Sequence, residues 1–424
     1  MKITEIKSER AGDSYFKILH DSGLTVYVYP KEGYRSAYAI IGTKYGSIYT
    51  CFSLDDGEKI TVPDGIAHYL EHKLFESAEG DAFTRYAETG ASANAYTSFE
   101  KTCYLFSCTD NFDKSLEILL DFVRDPYFTA QTVAKEQGII GQEIKMYDDS
   151  PDWRVMFNML GCMYHHHPVK IDIAGTVESI AEITAEKLYD CYNVFYNLHN
   201  MALCVAGNVT VDQVLAICDR MLKPCEKHEI HNYFEEEPYE IVKPYIEQSF
   251  PVMMPLFNLG FKEKAAPMDE KTAAQTDILL SMLASPTSKL YRDLMDANLI
   301  NNTFSFELFE GPGYCSVIFG GESRAPQQAA EMIKQYIAAL KKEGLSREDF
   351  EMARKANYGD SVSGLNSVSN IANAIMTHHF SDNEIFTYIN AVADTTFEDV
   401  STRFEQMLDV NNCVLSVIKP DSEE

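Results

Sequence analysis

Short runs rich in β-branched and aromatic residues alternate along this chain with longer stretches whose apolar positions recur every three or four residues. Leu24–Tyr29 (LTVYVY) reads as a strand, and after the turn signal Pro30–Gly33 the run Ala37–Thr43 reads as its partner in a strand pair. Pro63-Asp64 opens the next element, with Asp64 expected to cap a helix on which Ile66, Ala67, Leu70, Leu74 and Phe75 recur at helical spacing. Past Gly90, Ala93–Thr97 and Thr102–Phe106 read as two more strands. Phe112–Val123 and Thr129–Tyr147 read as helices, the second stopped by Asp148-Asp149-Ser150-Pro151.

From Cys225 to Tyr245 neither period holds, and Glu235-Glu236-Glu237-Pro238 makes the stretch polar, so a linker is expected there. An echo links the two sides of it. Asn200-Met201-Ala202-Leu203-Cys204-Val205 resembles Asn412-Cys413-Val414-Leu415-Ser416-Val417, each a strand pattern after a helical one. Strands followed by helices in each half, without strict alternation, predict an α+β fold of two similar domains, antiparallel-rich sheets packed with helices. The expected division is 1–225, a linker at 226–245, and 246–424.

Composition narrows the function classes. The 424 residues carry 36 Lys+Arg against 64 Asp+Glu, a net charge of −28 spread along the chain. Nucleic acid is thereby disfavoured as a partner, because phosphate binding draws on clustered Lys and Arg; an acidic surface serves solubility and favours basic peptides. No run approaches the ~18 apolar residues of a membrane span, and Met1–Arg10 lacks the apolar stretch of a signal peptide. Ten cysteines without a CxxC pair are then expected as reduced, mostly buried thiols of a cytoplasmic protein.

The chemistry concentrates at His68-Tyr69-Leu70-Glu71-His72. Residues four apart are about 40° apart around a helix axis, so both imidazoles project from one face and can share a metal ion, with Glu71 beside them. A third ligand is required, and the Thr129–Tyr147 helix offers Glu136 and Glu143, seven residues and about 20° apart. We take Glu143 as the ligand and Glu136 as a neighbour that orients a ligand or tunes the bound water, although spacing alone leaves the two interchangeable and a solvated Glu136 open. The tracts His165-His166-His167 and His378-His379 are expected in structural or surface roles, Gly311-Pro312-Gly313 as a turn, and Asp421–Glu424 as a solvated tail.

The H-x-x-E-H string is the inverzincin signature, and here the chain resembles the pitrilysin/insulinase family of zinc peptidases. The likeness covers most of residues 24–207: His68 through Phe75 matches the family's catalytic helix, and Asn94-Ala95-Tyr96-Thr97 with Thr102 and Tyr104 its substrate strand. Glu136 through Ile144 matches its distal acidic helix, His167-Pro168 with Gly175-Thr176 its downstream loop, and Tyr196 with Asn200-Met201 its end-of-domain strand. The wording of Gly138–Glu143 and Asp152–Arg154 is most similar to a bacterial subgroup labelled as associated with elongation factor P 5-aminopentanone modification.

The resemblance implies a metalloendopeptidase half-chamber with one Zn2+ per chain, held by His68, His72 and Glu143. Glu71 is then the general base that deprotonates metal-activated water, with Glu136 also in the catalytic group, and Ser92, Ala93, Asn94, Ala95, Tyr96 and Thr97 form a strand edge that binds an extended peptide. One departure stands out. In its second half the family carries an Arg and, seven residues on, a Tyr, after a Ser-x-Leu-Tyr/Phe opening; Ser288-Lys289-Leu290-Tyr291 matches the opening, but Met295 and Asn302 occupy the two positions and Arg292 lies three residues too early. The expected assembly is therefore a heterodimer with a homologous chain supplying the Arg/Tyr pair, a homodimer being the other arrangement. The rival expectation is a weakly active or inactive peptide-binding scaffold subunit.

Overall fold

The structure, a computed structural model, describes residues 1–78 and 80–421; of the acidic end, residues 422–424 lie outside the described residues. In chain order the elements used below are β1 (Lys2–Ser8), β2 (Asp13–Leu19), β3 (Thr25–Pro30), β4 (Ala37–Thr43), α1 (Ile66–Leu74), β5 (Ser92–Thr97), β6 (Thr102–Cys108), α2 (Ala130–Asp148), α3 (Pro151–Met163) and β7 (Met201–Gly207). Then come β8 (Tyr245–Phe250), β9 (Leu256–Lys262), α4 (Glu270–Ala284), β10 (Ser305–Gly311), β11 (Tyr314–Glu322), α5 (Val368–Phe380) and β12 (Cys413–Pro420).

Two compact units interleave along the sequence. One comprises residues 1–144, 172–233 and 362–386, the other 145–171, 234–361 and 387–424. The crossing at 233/234 falls inside the polar stretch read as a linker. The first unit holds a seven-stranded sheet in the order β1-β2-β3-β7-β4-β6-β5, and the second a five-stranded sheet in the order β8-β12-β9-β11-β10.

The two sheets share a plan. β7 runs parallel to β3 and antiparallel to β4, and β12 runs parallel to β8 and antiparallel to β9. The echo between 200–205 and 412–417 thus marks the same central strand in each sheet. Each is crossed by a helix from the far side of the sequence: α5 packs on β7 and β4, and α3 on β12 and β9. Gly42 faces Ala202 in the first ladder, and Gly260 faces Val414 in the second. A Cβ on Gly42 would lie 2.9 Å from Met376 Cε of α5, and one on Gly260 2.5 Å from Met159 Sδ of α3. At equivalent positions, both sheets omit a side chain so that a covering helix can approach.

Three sequence expectations change in detail. β3 and β4 are not hydrogen-bonded neighbours, because β7 lies between them with all seven residues buried; the most uniformly apolar strand takes the centre, where both faces are covered. Ile230–Asn232, within the stretch expected to be irregular, pairs with Cys51–Leu54 in a small three-stranded sheet. The N-cap of α1 is Gly65, not Asp64: Gly65 has φ 86°, and a Cβ there would fall 2.3 Å from the carbonyl oxygen of Ala174, so a close backbone approach sets the helix start.

The histidine tract is part of a structural knot in the second unit. Backbone N–H groups of His165, His166 and His167 donate to the Glu237 carboxylate at 2.7–2.9 Å, and the buried Lys262 ammonium lies 2.7 Å from it. Burial alone would raise the Glu237 carboxyl, but Lys262 and the three N–H groups outweigh it and hold the group at about 2. On the lysine side burial prevails and lowers the ammonium, so the net stabilisation lies mainly with the glutamate's hydrogen bonds. Glu237→Ala is expected to cost roughly 3 kcal/mol near neutral pH, since it leaves a buried cation uncompensated. Because the folded-state value is depressed, that contribution is complete above the ordinary 4.5 and is lost as pH falls towards 2. Denaturant titrations of both proteins from pH 7 to 3 check this: the difference between them should shrink with acidification.

All ten cysteines are free, with only Cys225 exposed and Cys51 half-buried. Among the described residues no helix is long and apolar enough to cross a membrane.

Candidate metal centre

α1 is buried on almost every side, with His72 the single residue of the helix that is not. His68 is 7% exposed and Glu71 9%. Tyr69 donates from its hydroxyl to the carbonyl of Val133, near the start of α2, and this tie lays the acidic face of α2 along α1. Glu136 and Glu143 both arrive beside His72.

His72 Nδ1 lies 3.1 Å from Glu136 Oε1, and His72 Nε2 3.2 Å from Glu143 Oε2. His68 Nε2 lies 3.8 Å from Glu143 Oε1. Ligand atoms bound at zinc's usual distances are about 3.4 Å apart around a tetrahedron, and one ligand atom from each of His68, His72 and Glu143 falls within 4.8 Å of the others. Among the described residues this is the one such group of three or more His, Cys, Asp or Glu able to hold a metal ion. Two imidazoles and a carboxylate form a donor set that suits zinc. Glu136, taking the Nδ1 side of His72, leaves Nε2 as the atom that faces Glu143. His68 Nδ1 is buried without a hydrogen-bond partner.

Burial shapes the charges here. It lowers His68 to about 4, aided by the neighbouring His72, so that ring is neutral. Burial would lower His72 as well, but the carboxylates of Glu136 and Glu143 outweigh it and raise His72 to about 10. Glu136 is lowered by its hydrogen bond to His72. Glu71 is raised by burial, partly offset by a hydrogen bond from Thr97 and the charge of His72.

The residues read as a peptide-binding strand, Ser92 to Thr97, form β5, the edge of its sheet, paired on one side only with β6. Asn94 and Ala95 line a cleft of 680 Å3 together with Glu71, His72 and the stacked rings of Phe75 and Phe83, whose centroids are 4.4 Å apart. Thr97 Oγ1 donates to Glu71 Oε2 at 2.7 Å. On the strand's other side the Tyr96 hydroxyl donates to Asn373 of α5 at 3.4 Å. Sequence reasoning missed both contacts, and no local pattern announces them.

Ser288 caps a short helix, Lys289–Asp296, by accepting from Tyr291 N. Met295 and Arg292 are exposed on that helix, and Asn302 is exposed in a turn. In the two histidine tracts, His167 Nε2 lies 2.8 Å from the carbonyl of Pro312, and His379 Nδ1 3.0 Å from the Tyr27 hydroxyl.

Residues 53–177 match the family model described as insulinase (peptidase family M16), and residues 182–357 match one described as peptidase M16 inactive domain. A Bacillus subtilis protein named "Uncharacterized zinc protease YmfH" is 39% identical over 99% of this chain and 100% of its own length. A second from that organism, named "Uncharacterized zinc protease YmxG", is 25% identical over 78% of this chain and 83% of its own. The crystal structure of an M16-like peptidase from Alicyclobacillus acidocaldarius superposes with a TM-score of 0.92 at 35% identity, covering 96% of this chain and 98% of that one. Matched over 99% of its length by a relative 39% identical to it, and carrying the family's fold, the chain belongs to the insulinase family of peptidases, M16.

Proposed function

We propose that this chain is a zinc-dependent endopeptidase that cleaves peptides or unfolded segments, the metal-bearing subunit of a cytoplasmic dimer. The observation that carries the reading is the convergence of His68, His72 and Glu143 within 4.8 Å, with Glu71 buried one residue away from His72. His68 and His72 would hold zinc through Nε2 and Glu143 through its carboxylate. When bound, the ion supplies Lewis acidity, which acidifies a water and polarises the scissile carbonyl. Glu136 orients His72 through Nδ1. Glu71 takes a proton from the attacking water and returns it to the leaving amine. The open edge of β5 binds the peptide as an added strand, through main-chain hydrogen bonds that read conformation more than side chains. Residues 1–225 are read as the catalytic half and 246–424, beyond a linker at 226–245, as its homologue without a metal site.

A second reading is kept alive by one feature: Met295 and Asn302 stand where the resemblance places an Arg and a Tyr, within a region matching an inactive-domain model. Under it the chain is a peptide-binding subunit of low activity. Turnover of a mixed fluorogenic peptide library, measured for the chain alone and with a homologous chain bearing the Arg/Tyr pair, separates the two. The proposal expects a rise of at least about 100-fold on mixing, the contribution of one added transition-state donor. Full enzyme-like rates from the chain alone would rule out the split site, and binding without cleavage in every pairing would favour the second reading.

A further inference from the structure

Thr97 belongs to the edge strand that the proposed function gives to the substrate, yet its hydroxyl is engaged inside the protein. Oγ1 lies 2.7 Å from Glu71 Oε2 and 3.2 Å from Thr102 Oγ1. Thr102 is fully buried and is the direct cross-strand partner of Thr97. Its own proton goes to the carbonyl oxygen of Tyr45 at 2.8 Å, a group that only accepts. Thr97 therefore has one proton to give, and the shorter contact, to a carboxylate, takes it.

The donor is held by the fold. Ser47 and Ile48 N–H groups donate to the carbonyls of Ser98 and Phe99 in the β5–β6 turn, at 3.0 and 3.1 Å. Gly46 lies so close to that turn that a Cβ would come within 2.4 Å of the Phe99 carbonyl. The Tyr45 ring is stacked on Phe195 at 3.9 Å. The hydroxyl of Thr97 is thus aimed at Glu71 before any peptide arrives.

We propose that Thr97 is a positioning residue for Glu71: it fixes Oε2 as a permanent acceptor and so assigns the mobile proton to Oε1. The inference rests on Glu71 acting as general base. In the forward step the O–H bond of the water breaks and an O–H bond forms at Oε1, while Oε2 goes on accepting from Thr97 in both the carboxylate and the carboxyl form. The same proton then leaves Oε1 for the amine nitrogen as the C–N bond breaks, and Glu71 ends as the carboxylate it began. Without the Thr97 donor the carboxylate turns more freely about its broad terminal torsion, and the fraction of time spent with a basic oxygen towards the water falls. Thr97 accordingly acts on turnover, not on peptide affinity.

The test is steady-state kinetics, with metal content, of Thr97→Val and Thr97→Ser, the valine change made also in Glu71→Gln. Thr97→Val is expected to lower kcat roughly 10- to 100-fold, the equivalent of one hydrogen bond to a charged group, with KM within about twofold and zinc content unchanged. Thr97→Ser, which keeps the hydroxyl, should return kcat to within about threefold of wild type. In the Glu71→Gln background Thr97→Val should add less than about twofold, because the two residues act as one unit. A crystal structure of Thr97→Val should show the Glu71 carboxylate turned from its wild-type orientation, and Thr97→Ala replaces the valine variant if that protein does not fold. A rise in KM at constant kcat, or full additivity with Glu71→Gln, would overturn the assignment while leaving the peptidase reading intact. Equal turnover by wild type and Glu71→Gln would overturn both.

Discussion

Glu71→Gln is expected to retain one zinc per chain and to lose about 10³-fold in kcat, the middle of the range a positioned acid/base contributes. The separation of the two effects follows from geometry. The atoms placed to hold a metal belong to His68, His72 and Glu143, whereas Glu71 is not among them and accepts from Thr97. Glutamine keeps the volume and an acceptor for the Thr97 hydroxyl, so the helix should not repack around it. It cannot take a proton from water at any accessible pH. Metal analysis beside single-turnover cleavage checks both halves of the expectation. Loss of zinc together with activity would mean that Glu71 holds the metal site together, and retained activity would remove it from the chemistry.

The other large effect belongs to His72→Ala. Its imidazole lies between Glu136 at 3.1 Å and Glu143 at 3.2 Å, with those side chains only 12% and 22% exposed. Removing it deletes a proposed ligand and takes the shared imidazole from two half-buried carboxylates, which costs roughly 2 kcal/mol in the metal-free protein once their partial exposure is allowed for. For the wild type, zinc at a thousand times its dissociation constant adds about 4 kcal/mol to stability. In a unit of this size that corresponds to a melting temperature higher by roughly 10 °C. Thermal melts with zinc and with chelator should show that shift in the wild type and none in His72→Ala. An equal shift in both proteins would place the stabilising metal elsewhere.

What was legible in the sequence is what local periodicity controls. The spacing of His68, Glu71 and His72 sets one helix face whatever surrounds it, and Glu136 and Glu143 share a stripe for the same reason. Ala37–Thr43 read as a strand and is β4, residue for residue. The fold class read from the order of elements and the resemblance agree with the two related sheets and the family found. Neighbour relations were less accessible, since a run such as Met201–Gly207 states that it is buried without stating which strands flank it. The start of α1 was misread at Asp64 because the deciding contact, Gly65 against Ala174, spans more than a hundred residues. The same holds for Thr97 with Glu71 and for Asn373 with Tyr96: hydrogen bonds between distant side chains leave no period to read. Gly42 and Gly260 do leave a trace, a glycine inside an otherwise apolar strand, which signals close approach by another element.

The central claim is that His68, His72 and Glu143 hold the zinc of a peptidase, and peptide cleavage through one cycle of metal removal and return tests it most directly. The chain, alone and mixed with a homologous chain bearing the Arg/Tyr pair, is assayed as purified, after chelation and dialysis, and after titration with zinc. The account predicts that cleavage disappears on chelation and returns in proportion to zinc up to one equivalent per chain. Cleavage that survives complete metal removal, or full zinc occupancy at these three residues with no cleavage in any pairing, would contradict it.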